Sequence, residues 1–189
     1  GSEMCIRDRD EDVSFTDVTE DICCLGLFGP KSREMISKIS NDDFSNDEFK
    51  FGTGKFIMIN GVKVWAQRLS YVGELGFELY VDSSLAKDLY EILIEEGKNF
   101  ELSHCGMHAM DIMRMESGFV HWGHDISPEE NQYQAGLKFA ISYKKNVNFI
   151  GKDALLKIKD QKLDKRMMMF TLKDSKPGEP LLLLSLIHI

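Results

Sequence analysis

The chain has 189 residues, with 31 acids against 23 lysines and arginines and a formal net charge of −8. At 43% apolar and 29% charged it can bury one sizeable core or two small ones. It has no Lys/Arg cluster and no interleaving of basic with aromatic residues, so nucleic acid is excluded as a partner. No apolar run approaches the ~20 residues that span a bilayer, so no membrane segment is expected.

Residues 10–20 are acidic and polar and read as a connection. Ile22 to Phe28 is a short continuous apolar run, predicted as a buried strand, and Gly29-Pro30 ends it. Pro30 suits the first turn of a helix over Ser32 to Ile39, with Met35, Ile36 and Ile39 on one face. After a charged loop, Lys55 to Ile59 and Val62 to Ala66 flank Asn60-Gly61. Both of those residues accept the positive φ of a type I′ turn, so a hairpin is predicted.

The stretch Arg68 to Val81 follows, with alternation on either side of a glycine-bracketed corner, Gly73-Glu74-Leu75-Gly76, and reads as two strands. Period two sends Phe77, Leu79 and Val81 to one side and Glu78 and Tyr80 to the other. A carboxylate on an apolar-aromatic strand asks for a donor. Arg68 and a ligand are both open as that partner, and so is water, since most strand carboxylates face solvent.

Asp82-Ser83 offers an N-cap for a helix over Leu85 to Gly97, with Gly97 as its terminating glycine. Gly106 to Gly118 is a second amphipathic segment whose methionines suit an adaptable core. Residues 121–134 are irregular and polar. A short helix is expected over Asp153 to Lys159, a strand from Arg166 to Leu172, and a turn at Lys176 to Pro180. Strands in hairpins with helices between them point to an α+β fold, an antiparallel sheet with helices packed on one side.

The four cysteines, Cys5, Cys23, Cys24 and Cys105, form no disulfide framework, which suits a reducing compartment. His104 and His108 are four apart, and His121 and His124 bracket Trp122-Gly123. Without a His-Glu-x-x-His pattern or a cysteine pair at zinc spacing, no metal is expected. The sequence holds no nucleophile elbow, dinucleotide fingerprint or phosphate loop.

Six segments arrive in one order: Cys24 to Pro30, Tyr71 to Glu78, Gly106 to Glu116, Trp122 to Ile126, Ala135 to Leu137, and Phe149 to Lys152. Together they resemble the aminomethyltransferase (glycine-cleavage T-protein) family. The Glu74-Leu75 corner and Trp122-Gly123-His124-Asp125 are most similar to the C-terminal folate-binding portion of dimethylglycine and sarcosine dehydrogenases. Met110 stands where T-proteins usually carry an Arg before the aspartate, which again favours the dehydrogenase branch.

The resemblance implies the ferredoxin-like half of the T-protein fold followed by the start of a C-terminal β-barrel. It implies tetrahydrofolate as cofactor, gripped by Glu78, with Tyr71, Leu79, Tyr80 and Phe139 lining the pocket. The family's catalytic aspartate would lie upstream, so no catalytic residue is expected in this chain, which alone should be inactive. FAD would sit in a separate N-terminal domain, where an N-methylated amine is oxidised before its one-carbon unit passes to folate. A bacterial cytoplasmic location is expected. The ends, residues 1–9 and 184–189, resemble translated sequencing-adapter remnants. That leaves residues 10–146 as an N-terminally truncated folate-binding domain and 147–183 as the start of the barrel. A free-standing aminomethyltransferase and a non-catalytic folate-binding or interaction module are the alternatives.

Overall fold

A computed structural model describes residues 14, 16–146, 148–170 and 185–188, and divides the chain into two compact units. The first runs to Ser70 and resumes over Glu74–His104; the second comprises Tyr71–Gly73 and the chain from Cys105 onward.

In the first unit the elements are β1 (Ile22–Phe28), α1 (Ser32–Ile39), β2 (Gly54–Ile59), β3 (Val62–Gln67), β4 (Gly76–Asp82) and α2 (Ala86–Gly97). The strands form one antiparallel sheet in the order β1-β4-β3-β2, which puts the late strand β4 in the middle. Asn60 and Gly61 take φ of 42° and 89°, as the β2–β3 hairpin requires. One alternation of the sheet meets both helices. Leu27, Ile57, Ile59, Val64, Ala66, Phe77, Leu79 and Val81 pack with Met35, Ile36, Leu89 and Leu93 into a continuous core. The α+β reading, with helices on one side of an antiparallel sheet, therefore holds.

Local expectations fail where long-range contacts intervene. Residues 68–75 form bends and turns, so only the second half of the Arg68 to Val81 stretch is a strand. Ser117 Oγ donates to the Val72 carbonyl at 3.1 Å, so that carbonyl is spent outside any sheet. At Gly73 (φ +78°) a Cβ would lie 1.9 Å from Ser117 Oγ, and glycine is required there on both counts. Gly97 is the last residue of α2 but keeps a right-handed φ of −57°; the chain turns on through residues 98–100, and Glu101 takes the left-handed conformation at φ 59°. Gly97 is small for another reason, because a Cβ would meet Leu102 at 2.4 Å.

The second unit holds α3 (Met107–Glu116), α4 (Lys152–Ile158), and β5 (Lys165–Met168) paired antiparallel with β6 (Ser185–His188). The tail set aside from the fold thus contributes a strand: β5 has an unpaired edge, and such an edge accepts any short extended segment. The leader 1–9, the turn at Lys176 to Pro180 and much of the expected barrel lie outside the described residues. The methionine-rich stripe of α3 is not a core, since Arg114 is the helix's buried residue and Met107 and Ile112 are exposed.

An acid network ties the middle of this unit together. Glu130 accepts from Lys165 Nζ at 2.7 Å and from both the backbone N–H and hydroxyl of Ser127 at 2.8 Å. Lys165 and Ser127 hold its carboxyl at about 2, against an ordinary 4.5. A depressed folded value stabilises the fold above the unfolded value and is lost as pH falls through the folded one. Acidification from 4.5 towards 2 should therefore loosen the second unit, followed by near-ultraviolet circular dichroism. Glu130→Gln should remove that part of the acid transition; an unchanged acid profile would refute the assignment.

Candidate functional site

Among the described residues, no element of the first unit covers the face of the sheet turned away from α1 and α2. Its residues are the other alternation of each strand, and the pairing register sets them in rows. One row reads Gly26, Glu78, Gln67, Gly54 across β1, β4, β3 and β2. The next reads Cys24, Tyr80, Trp65, Phe56. A carboxylate and a carboxamide thus stand side by side, flanked by glycines and bordered by an aromatic row.

The glycines shape this surface. A Cβ at Gly26 would meet the Phe28 ring at 2.6 Å, and one at Gly76 would meet it at 2.2 Å, so Phe28 lies over both. A Cβ at Gly54 would meet the Trp65 ring at 2.6 Å. Trp65 also packs edge-on against Phe56, with ring centroids 4.9 Å apart. Two rings lying over bare backbone bracket the Glu78–Gln67 pair.

Glu78 is half-buried, and its partner is not Arg68. The Tyr80 hydroxyl donates to its Oε2 at 2.6 Å, while Arg68 donates to the Phe49 carbonyl at 2.6 Å. The bond to Glu78 and burial push the Tyr80 phenol well above its usual range. Burial likewise raises the Cys24 thiol, partly offset by the Tyr80 hydroxyl beside it. Among the described residues no cation pairs with Glu78 within salt-bridge distance. A carboxylate has about four acceptor positions, and Tyr80 occupies one of them. The rest can accept a ligand's N–H groups.

Of the expected pocket residues, Glu78 and Tyr80 share this face. Leu79 does not: its side chain is fully buried in the helix-facing core, because period two sends it opposite its neighbours. Tyr71 and Phe139 belong to the second unit. There Tyr71 stands edge-on to His121 at 6.3 Å, and Phe139 sits on a short 3-10 turn and is 85% exposed. Gln67, Trp65 and Phe28 were missed. Alternation along Val62 to Gln67 placed Trp65 and Gln67 on one side, but only the register puts Gln67 beside Glu78.

Elsewhere the chemistry is structural or sparse. In the second unit Arg114 is buried and ion-paired to Asp125, with Asp111 3.3 Å from its Nε. Asp125 also accepts from the His121 N–H at 2.8 Å and contacts His124 Nδ1 at 3.0 Å. Among the described residues no three His, Cys, Asp or Glu side chains converge as metal ligands. His104 bonds Tyr90 at 2.7 Å and precedes α3, so it does not share a helix face with His108. A shallow cleft of 430 Å³ beside α1 joins Arg33 and Lys38 with Glu34. It shares no residue with the Glu78 face and has no convergent set of groups, so the open sheet face is the stronger site.

Comparison with known proteins gives the family. The family described as "GCVT N-terminal domain" matches residues 3–145. The chain is 40% identical over 169 residues to 4-methylaminobutanoate oxidase (formaldehyde-forming) from Paenarthrobacter nicotinovorans, covering 89% of this chain and 20% of that protein. It is 35% identical over 161 residues to human mitochondrial dimethylglycine dehydrogenase, covering 85% of this chain and 19% of that protein. It therefore spans about a fifth of the length of these relatives. Among solved structures, the glycine cleavage system aminomethyltransferase T from Bartonella henselae superposes with a TM-score of 0.63 at 24% identity, over 77% of this chain and 38% of that one. That likeness concerns the fold. With most of its length matched by the family and a sheet of the same build, the chain belongs to the GCVT N-terminal domain family, which aminomethyltransferases and the dimethylglycine and sarcosine dehydrogenases share.

Proposed function

We propose that this chain is the tetrahydrofolate-binding part of an FAD-dependent dimethylglycine or sarcosine dehydrogenase-like enzyme. In it, the one-carbon unit released from an N-methylated amine is taken up as methylene-tetrahydrofolate. The observation that carries the reading is Glu78: half-buried on the open face of the central strand, steadied by Tyr80, and paired with no cation among the described residues. A pterin presents an amide N–H beside an amino group, and one carboxylate accepts both in parallel.

Bound tetrahydrofolate supplies the acceptor nitrogens. This chain's residues would hold the ring, Glu78 by hydrogen bonds and Phe28 and Trp65 from the bordering surface, and so would position the acceptor for the incoming carbon. A flavin would be held by sequence other than this, since the chain has no glycine-rich dinucleotide fingerprint. The free thiols Cys23, Cys24 and Cys105 fit a cytoplasmic setting. The second reading, a free-standing aminomethyltransferase, is favoured by the likeness of fold to the Bartonella protein. Sequencing the gene upstream separates the two, because a flavin-type domain precedes this one only in the first.

Glu78→Gln should weaken tetrahydrofolate binding by roughly 1.5–3 kcal/mol, about 10- to 150-fold in Kd, by replacing one charge-assisted acceptor pair. Titration followed by tryptophan fluorescence measures it. An unchanged Kd would remove Glu78 from the site.

A further inference from the structure

We infer that Gln67 is a second ligand-reading residue on this face and that it sets the preference for a ring carrying a carbonyl, not an amino group, next to the donor pair. The inference rests on the folate reading above and adds what Glu78 alone cannot supply.

The placement is fixed by register. Gln67 stands directly opposite Glu78 across β3 and β4, and directly opposite side chains leave their strands about 5 Å apart. Among the described residues the Gln67 carboxamide makes no hydrogen bond, and it is not among the buried polar groups that lack a partner. Its outer neighbour in the row is Gly54, which offers no side chain; a Cβ there would press on Gln67 Cγ at 3.2 Å and on the Trp65 ring. The amide is thus accessible, uncommitted, and held between a carboxylate and bare backbone.

The chemistry follows from the two groups. A carboxylate only accepts, so Glu78 reads donors. A 4-oxo pterin offers it the ring N–H and the 2-amino group, but a protonated 2,4-diamino ring offers an equivalent pair. Glu78 alone cannot tell them apart. A carboxamide donates and accepts from its two ends, and the adjacent Glu78 carboxylate repels its oxygen and attracts its NH₂. The NH₂ end therefore lies on the Glu78 side, where it meets the 4-carbonyl beside the N3–H of an oxo pterin, whereas the diamino ring, seated through N1–H and its 2-amino group, brings no 4-substituent to it. A site built to hydrogen-bond a group discriminates against the analogue that lacks the matching atom.

The test uses a matched pair, folic acid and its 4-amino analogue, which differ at that one position. Both are titrated against the full chain and its variants by tryptophan fluorescence. Gln67→Leu should weaken folic acid by roughly 3- to 10-fold, the loss of one neutral hydrogen bond, and leave the 4-amino analogue within about twofold. Gln67→Glu should weaken folic acid more than Gln67→Leu does, because a carboxylate repels the 4-carbonyl. Thermal unfolding of Gln67→Leu should match the parent, since the residue is uncommitted, whereas Gln67→Glu, which sets two carboxylates directly opposite each other, should lower the midpoint slightly. If Glu78→Gln weakens binding while both Gln67 variants keep the parent ratio, the Gln67 inference fails and the folate reading stands. If the parent binds neither compound, both fail.

Discussion

Asp125→Asn should destabilise the second unit by about 3–5 kcal/mol, the largest single effect expected of a polar substitution in this chain. Arg114 and Asp125 are each 2% exposed at the side chain and directly paired. Burial raises the Asp125 carboxyl, but His124, the His121 N–H and Arg114 together outweigh it and hold the group below its ordinary 3.8. Arg114, whose own charge burial disfavours, is nevertheless raised by Asp125. Asparagine keeps the shape and one acceptor but removes the charge, leaving a buried guanidinium with Asp111 as its remaining acid neighbour. Urea unfolding monitored by circular dichroism gives the loss. Replacing both partners together, Arg114→Met with Asp125→Leu, should recover much of it, because an apolar pair carries no desolvation penalty. A single-variant loss below about 1 kcal/mol would show the pair to be solvated in solution. The pH dependence has a fixed sign. The carboxyl's folded value is depressed, so its contribution is whole above 3.8 and disappears as pH falls through that lower value.

Phe77→Ala should cost the first unit about 3–5 kcal/mol through the cavity it leaves. Phe77 is fully buried, and its ring lies 5.6 Å from both Phe44, edge-on, and Phe49, tilted. Phe44 and Phe49 come from the loop between α1 and β2, so this trio fastens that loop to the central strand. The loop is also held by Arg68 Nη1 on the Phe49 carbonyl, by the Met58 N–H on Asp42 at 3.0 Å and by Arg33 on Asn46 at 2.8 Å. Phe77→Leu, which keeps most of the volume, should cost much less. Because Phe77 and Glu78 are neighbours on opposite faces of β4, the Ala variant should also weaken folate binding, in proportion to the population that unfolds. Equal unfolding midpoints for Phe77→Ala and the parent would mean the core does not depend on this ring.

Much of the fold could be read locally. β1 and α1 match their expected spans residue for residue, and the Asn60-Gly61 hairpin closes as its two positive φ values require. Asp82 caps the turn into α2 by accepting from the Ser84 N–H at 2.9 Å. The site was legible in part. Glu78 and Tyr80 were correctly set on one face by alternation, and the same rule, applied without exception, places Leu79 in the core. Tyr80 as the carboxylate's partner could have been anticipated, since i and i+2 on a strand are same-face neighbours. Arg68 carries the opposite charge but spends its guanidinium on the Phe49 carbonyl.

What the sequence determined by itself is whatever depends on short spacing: the spans of β1 and α1, the hairpin turn, the two faces of β4, and the run of family segments. The tertiary structure alone decided which residues are neighbours across strands, hence Gln67 beside Glu78, Phe28 over Gly26, and Asp125 against Arg114. The physical reason is that side-chain direction has a two-residue period set by the local backbone, whereas register is fixed by pairing between distant segments. β4 pairs with β1 across a separation of more than one helix and hairpin, and residues 68–75 leave the sheet between β3 and β4. No spacing along the chain encodes that alignment; the packing of Phe77, Leu79 and Val81 against the helices does.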